Sequence, residues 1–328
     1  MKAVYISDFG KLENLELRDI AEANEPIGTQ VLVRIKAAGL NRADLLQVRG
    51  TYPPPTGYSP NIPGLEFAGE VVALGDEVKN WTISDRVFGI TAGEAQAEFL
   101  LTDQTLLARI PDNLSFAEAA AVPEAFITAH DAIFTRGLLK TGETLLIHAV
   151  GSGVGLAALQ LAREHGVTVI GTSRTADKLD RCKKFGLDAA ISTNDGSDFA
   201  AKITEITDGR GVDVILDLVG AAYFEQNLAS LALKGRLVLV GLTSGRSADF
   251  NLGMALQKRL TIVGTILRGR PMIEKAEATQ KFTDEVIPLL AAGKVQPNVD
   301  RVFAAATVVA AYKYLESNES FGKVILEF

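Results

Sequence analysis

From about Thr128 to Thr265 the chain repeats one pattern, and that pattern leaves few folds open. Short apolar runs recur at Thr144–Ala149 (TLLIHA), Val167–Thr172 (VTVIGT), Val212–Asp217 (VDVILD), Arg236–Gly241 (RLVLVG) and Leu260–Thr265 (LTIVGT), with a weaker one at Ala189–Ser192. Helical stretches such as Val154–His165 and Ala176–Phe185 separate most of them. Strands spaced roughly 20–25 residues apart by helices are the signature of a doubly wound parallel sheet. Near-continuous apolar runs fit strands covered on both faces.

The first 125 residues have a different texture. Gln30–Ala37 (QVLVRIKA) and Phe67–Ala73 (FAGEVVA) carry the β-branched runs expected of strands, separated by Gly and Pro. Eight of the 11 prolines fall here, five of them in Gly50–Gly64 (GTYPPPTGYSPNIPG). Such a loop is either a rigid connector or a wall of a site, and long loops in compact domains are often functional. After Gly269, Thr279–Gly293 reads as a helix and Val324–Glu327 as a last short strand that returns to the first domain. The expectation is an α/β protein in two domains: a β-rich one over residues 1–125 plus 266–328, and a nucleotide-binding one over 126–265 inserted within it.

Charge and composition exclude several classes. A net charge of -7 with no basic block argues against a nucleic-acid or anionic-membrane surface. No apolar run approaches the ~20 residues of a bilayer span. The opening MKAVYISDFGK places Asp8 and Lys11 too early for a signal peptide, so a soluble cytoplasmic protein is expected. The single cysteine, Cys182, makes neither an internal disulfide nor a multi-cysteine zinc site.

The first run of the repeat leads directly into Ala149-Val150-Gly151-Ser152-Gly153-Val154-Gly155 and a helix. Glycines there let the backbone turn tightly and approach a pyrophosphate, whose charge sits at the helix N-terminus. By itself this is equally a tight strand-to-helix turn; at the head of an α/β run it points to a nucleotide. The end of the second strand bears on which one. A cofactor lacking a 2′-phosphate usually meets a carboxylate there, whereas this chain reads Gly171-Thr172-Ser173-Arg174-Thr175-Ala176-Asp177-Lys178. One hydroxyl and two cations suit the 2′-phosphate of NADPH, which Arg can grip bidentately. The alternative is that Arg174 and Lys178 are solvated surface charges.

Candidates for chemistry are few. The three histidines are His130, His148 and His165. His148 ends the first core strand and His165 a helix, so both read as structural, while His130 is placed to border a cleft. None has the spacing of a metal pair, and a catalytic zinc needs three protein ligands; no metal is expected. No G-x-S-x-G elbow is present. Near the proline loop stand Asn41, Asp44, Tyr52 and Tyr58. A tyrosine can donate a proton or hydrogen bond to an oxyanion, although tyrosines beside prolines are more often packing.

Three segments, Ala38-Gly39-Leu40-Asn41-Arg42-Ala43-Asp44, Gly50-Thr51-Tyr52-Pro53-Pro54-Pro55 and Pro63-Gly64-Leu65-Glu66-Phe67-Ala68-Gly69, resemble the medium-chain dehydrogenase/reductase superfamily. Within it they resemble the zinc-free quinone oxidoreductase branch that includes zeta-crystallin. Val122-Pro123-Glu124-Ala125-Phe126-Ile127-Thr128-Ala129, the Ser-Gly-Val-Gly turn and Leu267-Arg268-Gly269-Arg270 agree. The Glu124 and Ser152 spellings look closest to the tumour-suppressor-inducible quinone oxidoreductases, and the match covers nearly the whole chain.

The resemblance implies a GroES-like catalytic domain with an inserted Rossmann domain, NADPH as cofactor, and Asn41 and Leu65 where zinc-dependent relatives carry ligands. It implies that Asn41 and Thr128 lie beside the nicotinamide, with Tyr52 and Asn41 the catalytic candidates. Ser152, Gly153 and Val154 would hold the pyrophosphate, and Ser173, Arg174 and Lys178 the 2′-phosphate. Gly241, Leu242, Leu267 and Asn318 would complete the nicotinamide and ribose walls. Ser192-Thr193-Asn194 stands where relatives often carry a tyrosine. The expected activity is NADPH-dependent quinone reduction by a homodimer paired through the Leu260–Thr265 edge. Two alternatives remain: an enoyl-thioester or enone reductase with Tyr52 as proton donor, and a nucleotide-binding protein with little catalysis, since fold alone does not settle function.

Overall fold

The computed structural model describes every residue of the chain except 195 and 197. Two compact units are present, residues 1–127 with 267–328, and residues 128–266. The joins fall two residues and one residue beyond those expected from sequence, and the helix Pro123–His130 runs through the first of them.

The first unit opens with β1 (Lys2–Ile6) and β2 (Leu15–Asp19), an antiparallel pair. Its main sheet begins with β3 (Gln30–Gly39), followed by α1 (Arg42–Val48), β4 (Glu66–Leu74), β5 (Arg86–Ile90), β6 (Phe99–Asp103) and β7 (Leu107–Arg109). Then come α2 (Phe116–Ala119), capped by Ser115 whose side chain accepts from the Glu118 N–H, and α3 (Pro123–His130). The β3–β4 pairing shifts register between Ile35 and Ala37. Gly69 is required there, because a Cβ would meet the Arg34 carbonyl at 2.2 Å.

The second unit runs β8 (Thr144–Ile147), α4 (Gly153–Glu164), β9 (Thr168–Ser173), α5 (Ala176–Lys183), β10 (Ala189–Ser192), α6 (Phe199–Ile206) and β11 (Val212–Asp217). It ends with α7 (Phe224–Ser230), β12 (Leu231–Leu239), α8 (Leu252–Lys258) and β13 (Thr261–Gly264). All neighbours are parallel, in the order β10-β9-β8-β11-β12-β13. The sheet therefore reverses direction between β8 and β11, where a parallel sheet opens a crevice for ligands at its carboxyl ends. Leu146, Ile170, Ile215 and Leu237, one from each central strand, pack with Phe199 and Leu228 in its core. β13 is the edge strand, as the sequence reading has it. β12 starts five residues before the expected Arg236, across a left-handed Lys234 and a register shift against β11.

The chain then returns to the first unit through α9 (Met272–Glu285), α10 (Ile287–Ala291), β14 (Val299–Ala304), α11 (Val308–Glu316) and β15 (Lys323–Glu327). The single helix expected over 279–293 is two helices, starting seven residues earlier and broken at Val286. β15 pairs antiparallel with β3, Ile325 opposite Gly39 and Leu326 opposite Ala38. That register sets the first residue of β15 beside the residues that follow β3. Among the described residues, no helix is long and apolar enough to cross a membrane.

Helix α9 is held by a buried stripe, Lys275, Ala278, Thr279 and Phe282, at helical spacing. Phe282 is fully buried and tilts against Phe88, ring centroids 5.8 Å apart. Phe282→Ala is expected to cost ~3–5 kcal/mol, the transfer and cavity cost of a large aromatic side chain. Urea unfolding measures it, and a loss below ~1 kcal/mol would show that the site collapses around the deletion.

Candidate active site

At one end of the first unit's sheet the ends of three strands gather charged groups. Glu66 opens β4, Lys323 opens β15, and Asn41 follows β3. Lys323 Nζ lies 2.5 Å from Glu66 Oε1, and both side chains are almost fully buried. The same ammonium donates to the Leu40 carbonyl and to Asn41 Oδ1, each at 2.7 Å. Asn41 Nδ2 donates to Glu66 Oε1 at 2.9 Å. The other Glu66 oxygen, Oε2, accepts the Glu124 backbone N–H at 2.8 Å. Both carboxyl oxygens of Glu66 are thus partnered.

A second strap crosses the mouth of the proline loop. Arg268, buried, donates through Nε to the Ala92 carbonyl at 2.8 Å and through Nη1 to the Tyr52 carbonyl at 3.0 Å. Its Nη2 bonds Gln47 Oε1 of α1, and its guanidinium carbon stands 5.0 Å from the centroid of the Tyr52 ring. The loop carrying Tyr52 is therefore pinned to the sheet by one side chain. Asp44 binds the Asn41 N–H at 2.8 Å and the Gly64 N–H at 3.2 Å, closing the first turn of α1. Burial raises its carboxyl to about 6, with the Asn41 N–H foremost in opposing the rise.

Glu124 differs from its neighbours. Among the described residues, no hydrogen bond or ion pair reaches its carboxyl, and the residue keeps some solvent exposure. Burial and the adjacent Glu66 carboxylate raise it to about 8, against the pull of Lys323 and Arg268. The N-terminus of α3 favours a carboxylate by only ~0.3–1 kcal/mol, too little to reverse a shift of that size. Burial also raises the Tyr52 phenol, and Glu124 adds to the rise. Four residues along α3, and hence on the same helix face, the Thr128 hydroxyl is buried with no partner among the described residues.

In the second unit the glycine turn sits at the switch point, between β8 and α4. Ala149 takes a left-handed φ of 50°, and Ser152 caps α4. Ser152 Oγ accepts the Gly155 N–H at 3.1 Å, which leaves its own O–H free to donate. Gly155 cannot carry a side chain: a Cβ would meet the Val150 and Ala149 carbonyls at 2.6 and 2.7 Å. Gly153 and Val154 form the first turn of α4. Ser173 ends β9 with its Oγ accepting the Thr175 N–H, Arg174 is exposed, and Lys178 lies on α5. Gly241 follows β12, where a Cβ would meet the Leu218 carbonyl at 2.6 Å, and Leu242 is exposed.

A buried polar chain ties these strand ends together. His148 bonds Thr172 Oγ1 at 2.9 Å and Asn227 Oδ1 at 2.6 Å, and Asn227 donates to Asp217 at 3.0 Å. Asp217 also accepts the Val219 and Gly220 N–H groups. Burial lowers the His148 pKa, so the ring is a neutral structural strut. His165 likewise caps its own helix by bonding the Leu161 carbonyl. His130, placed at a cleft from sequence, is instead buried against Phe134. Cys182 is buried on α5, and burial pushes its thiol up to about 12.

The structure thus brings Asn41 and Tyr52 into one polar cluster of the first unit. Leu267 is buried in that unit, and Asn318 is an exposed partner of Arg42 on α1. Thr128, Ser152, Gly153, Val154, Ser173, Arg174, Lys178, Gly241 and Leu242 all belong to the second unit. Sequence reasoning assigned no role to Glu66, Glu124, Arg268 or Lys323. The signal available was a lone carboxylate in an apolar stretch, as in AAAVPEAFITA, since Glu is almost never buried without a reason. Among the described residues, no three His, Cys, Asp or Glu side chains gather to hold a metal.

Residues 28–131 match the alcohol dehydrogenase GroES-like domain, and residues 153–284 the family described as zinc-binding dehydrogenase. That pairing, a GroES-like domain with a Rossmann sheet, defines a medium-chain dehydrogenase/reductase. The chain is 34% identical to a quinone oxidoreductase of Pseudomonas aeruginosa, over 99% of each chain. It is 34% identical to part of erythronolide synthase EryA2 of Saccharopolyspora erythraea, covering 97% of this chain and 8% of that one. Its fold matches Escherichia coli quinone oxidoreductase complexed with NADPH (TM-score 0.89, 30% identity, all of both chains). It also matches CurK enoyl reductase (TM-score 0.87, 26% identity, 99% and 98% of the two chains). The chain belongs to the quinone oxidoreductases of the medium-chain dehydrogenase/reductase superfamily, oxidoreductases that use nicotinamide cofactors.

The raised Glu124 carboxyl makes stability depend on pH in a definite direction. The folded state holds this proton more tightly than the unfolded chain does, so the contribution is complete below 4.5 and is lost as pH rises through about 8. The slope is at most about 1.4 kcal/mol per pH unit. Glu124→Gln removes the titration, so urea unfolding should show the variant gaining on the native protein from pH 4.5 to about 8. Parallel native and variant curves would refute the raised carboxyl.

Proposed function

We propose that the protein reduces quinones by hydride transfer from NADPH, without a metal. Full-length similarity to quinone oxidoreductases carries the choice of acceptor. The end of β9 supports the choice of cofactor, because Ser173 and the exposed Arg174 stand where a ribose-binding carboxylate would select NADH. The second unit fits a dinucleotide in two further respects. The switch-point turn offers the N–H groups of Gly153 and Val154 and the free O–H of Ser152, and the Thr128 hydroxyl has a hydrogen bond still to make.

When bound, the dihydronicotinamide supplies the hydride. The chain's own groups bind and orient. Ser152, Gly153 and Val154 hold the pyrophosphate, and Arg174 with Lys178 and Ser173 takes the adenosine phosphate. Asn41, its amide already bound to Glu66 and Lys323, orients the cluster more than it donates to a ligand. Tyr52 offers its ring and phenol on a loop fixed by Arg268. A quinone accepts hydride readily and leaves a stabilised hydroquinone anion, so positioning carries most of the catalysis.

Two outcomes follow. Arg174→Ala should lose ~10- to 150-fold in NADPH affinity, the ~1.5–3 kcal/mol of a charge-assisted bond, with NADH binding little changed. Equal native affinities for NADPH and NADH, by fluorescence titration, would overturn the cofactor assignment. With 1,2-naphthoquinone as oxidant, Tyr52→Phe should keep turnover within about tenfold of native, as expected of positioning. Turnover should also survive exhaustive chelation. Loss of activity with stoichiometric zinc removal would refute the metal-free reading.

A further inference from the structure

We propose that Glu124 is the proton donor of this site, supplying the proton that turns a hydride acceptor's oxyanion or enolate into neutral product. The inference rests on the reductase reading above and adds a second chemical step to it. Hydride transfer adds two electrons and one hydrogen to the acceptor and leaves an anion. The Glu124 O–H bond then breaks, its electron pair stays on the carboxylate, and an O–H or C–H bond forms on the product. Water returns the proton to Glu124 before the next turnover.

The arrangement of partners singles out Glu124. Three carboxyls of this cluster come from three elements, Asp44 of α1, Glu66 of β4 and Glu124 of α3. Asp44 is bound by two backbone N–H groups and Glu66 by Lys323, Asn41 and the Glu124 N–H, so both are fixed as acceptors. Glu124 receives none of these donors. The charged groups facing it are Glu66, Lys323, Asp44 and Arg268, with Lys275 of α9 and the Tyr52 phenol also within its field. Lys323 is committed to Glu66, and Arg268 to backbone carbonyls and Gln47. Neither of these cations pairs with Glu124, nor among the described residues does Lys275 form an ion pair with it, and the Glu66 charge beside it favours the neutral acid. The acid is therefore placed at the polar cluster, and among the described residues no hydrogen bond takes up its carboxyl. Tyr52 is the weaker candidate, because the same surroundings make its phenol less acidic.

The acceptor provides the internal control. A quinone leaves a weakly basic anion and needs little acid assistance, whereas an α,β-unsaturated ketone leaves a strongly basic enolate, for which general acid catalysis is worth ~10²–10⁴-fold. The experiment measures kcat of native protein, Glu124→Gln and Glu124→Asp with NADPH against 1,2-naphthoquinone and an open-chain enone, as a function of pH. NADPH affinity is measured on the same samples. Infrared difference spectra, native minus Glu124→Gln, are recorded on cofactor-free protein at neutral pH.

The expected result is a ~10²-fold or greater loss of enone reduction in Glu124→Gln, with quinone reduction within about tenfold and NADPH affinity unchanged. Glu124→Asp, still an acid, should recover part of the enone rate. The native enone profile should fall on the basic side, and that limb should vanish in Glu124→Gln. The infrared spectrum should contain the carbonyl band of a neutral carboxylic acid. Equal losses for both acceptors, an ionised Glu124 at neutral pH, or native protein that reduces the quinone and never the enone would overturn the donor role and leave the quinone reading standing. Native protein that oxidises NADPH with neither acceptor would overturn both.

Discussion

One buried ion pair organises the polar end of the first unit's sheet. Lys323 and Glu66 are both almost sealed from water, and charges there are tolerated only with their remaining donors and acceptors bound. The pair recruits Leu40, Asn41 and the Glu124 N–H for that purpose. Each recruited group belongs to a different segment: the end of β3, the start of α1, the start of α3. Removing one partner of such a pair typically costs ~3–5 kcal/mol, because it strands an uncompensated charge. The functional consequence is local. With Lys323 bound to Glu66 and, among the described residues, no ion pair from the nearby Lys275, the next carboxyl along has no cation of its own.

The second unit solves a comparable problem without net charge on its histidine. His148, Asn227, Thr172 and Asp217 link the carboxyl ends of β8, β9 and β11 through buried hydrogen bonds. Those are the strand ends around the switch point, and the glycine turn starts one residue after His148. A neutral imidazole can accept at one nitrogen and donate at the other, which suits a strut between a hydroxyl and an amide. Rigidity at the turn therefore derives from a fully satisfied polar network as well as from the absent Cβ of Gly155.

What could be read from the sequence was whatever is encoded locally. Parallel strands announced themselves by apolar runs at regular spacing, and the glycine turn by its place after the first run. Boundaries slipped where polar residues interrupt an element, as at Lys234 in β12, or where a helix is amphipathic and charged at its start, as in α9. The polar cluster was hidden for a different reason. Asn41 and Lys323 stand 282 positions apart, and Arg268 reaches Gln47 across 221. Nothing in the spacing of either residue announces its partner; only the register of β15 on β3 brings Lys323 to Asn41. Glu124 lies in a motif visible in the sequence, yet its meaning depends on which neighbours already hold the donors.

The chain's single cysteine has a consequence for an enzyme that handles the electrophilic acceptors proposed for it. Quinones and enones capture thiolates by conjugate addition, so a reactive cysteine would be alkylated by the enzyme's own substrates. Cys182 is sealed inside the nucleotide unit on α5, its thiol pushed up to about 12, so thiolate is scarce at any ordinary pH. Self-inactivation through a thiolate is closed off by where the one cysteine is kept.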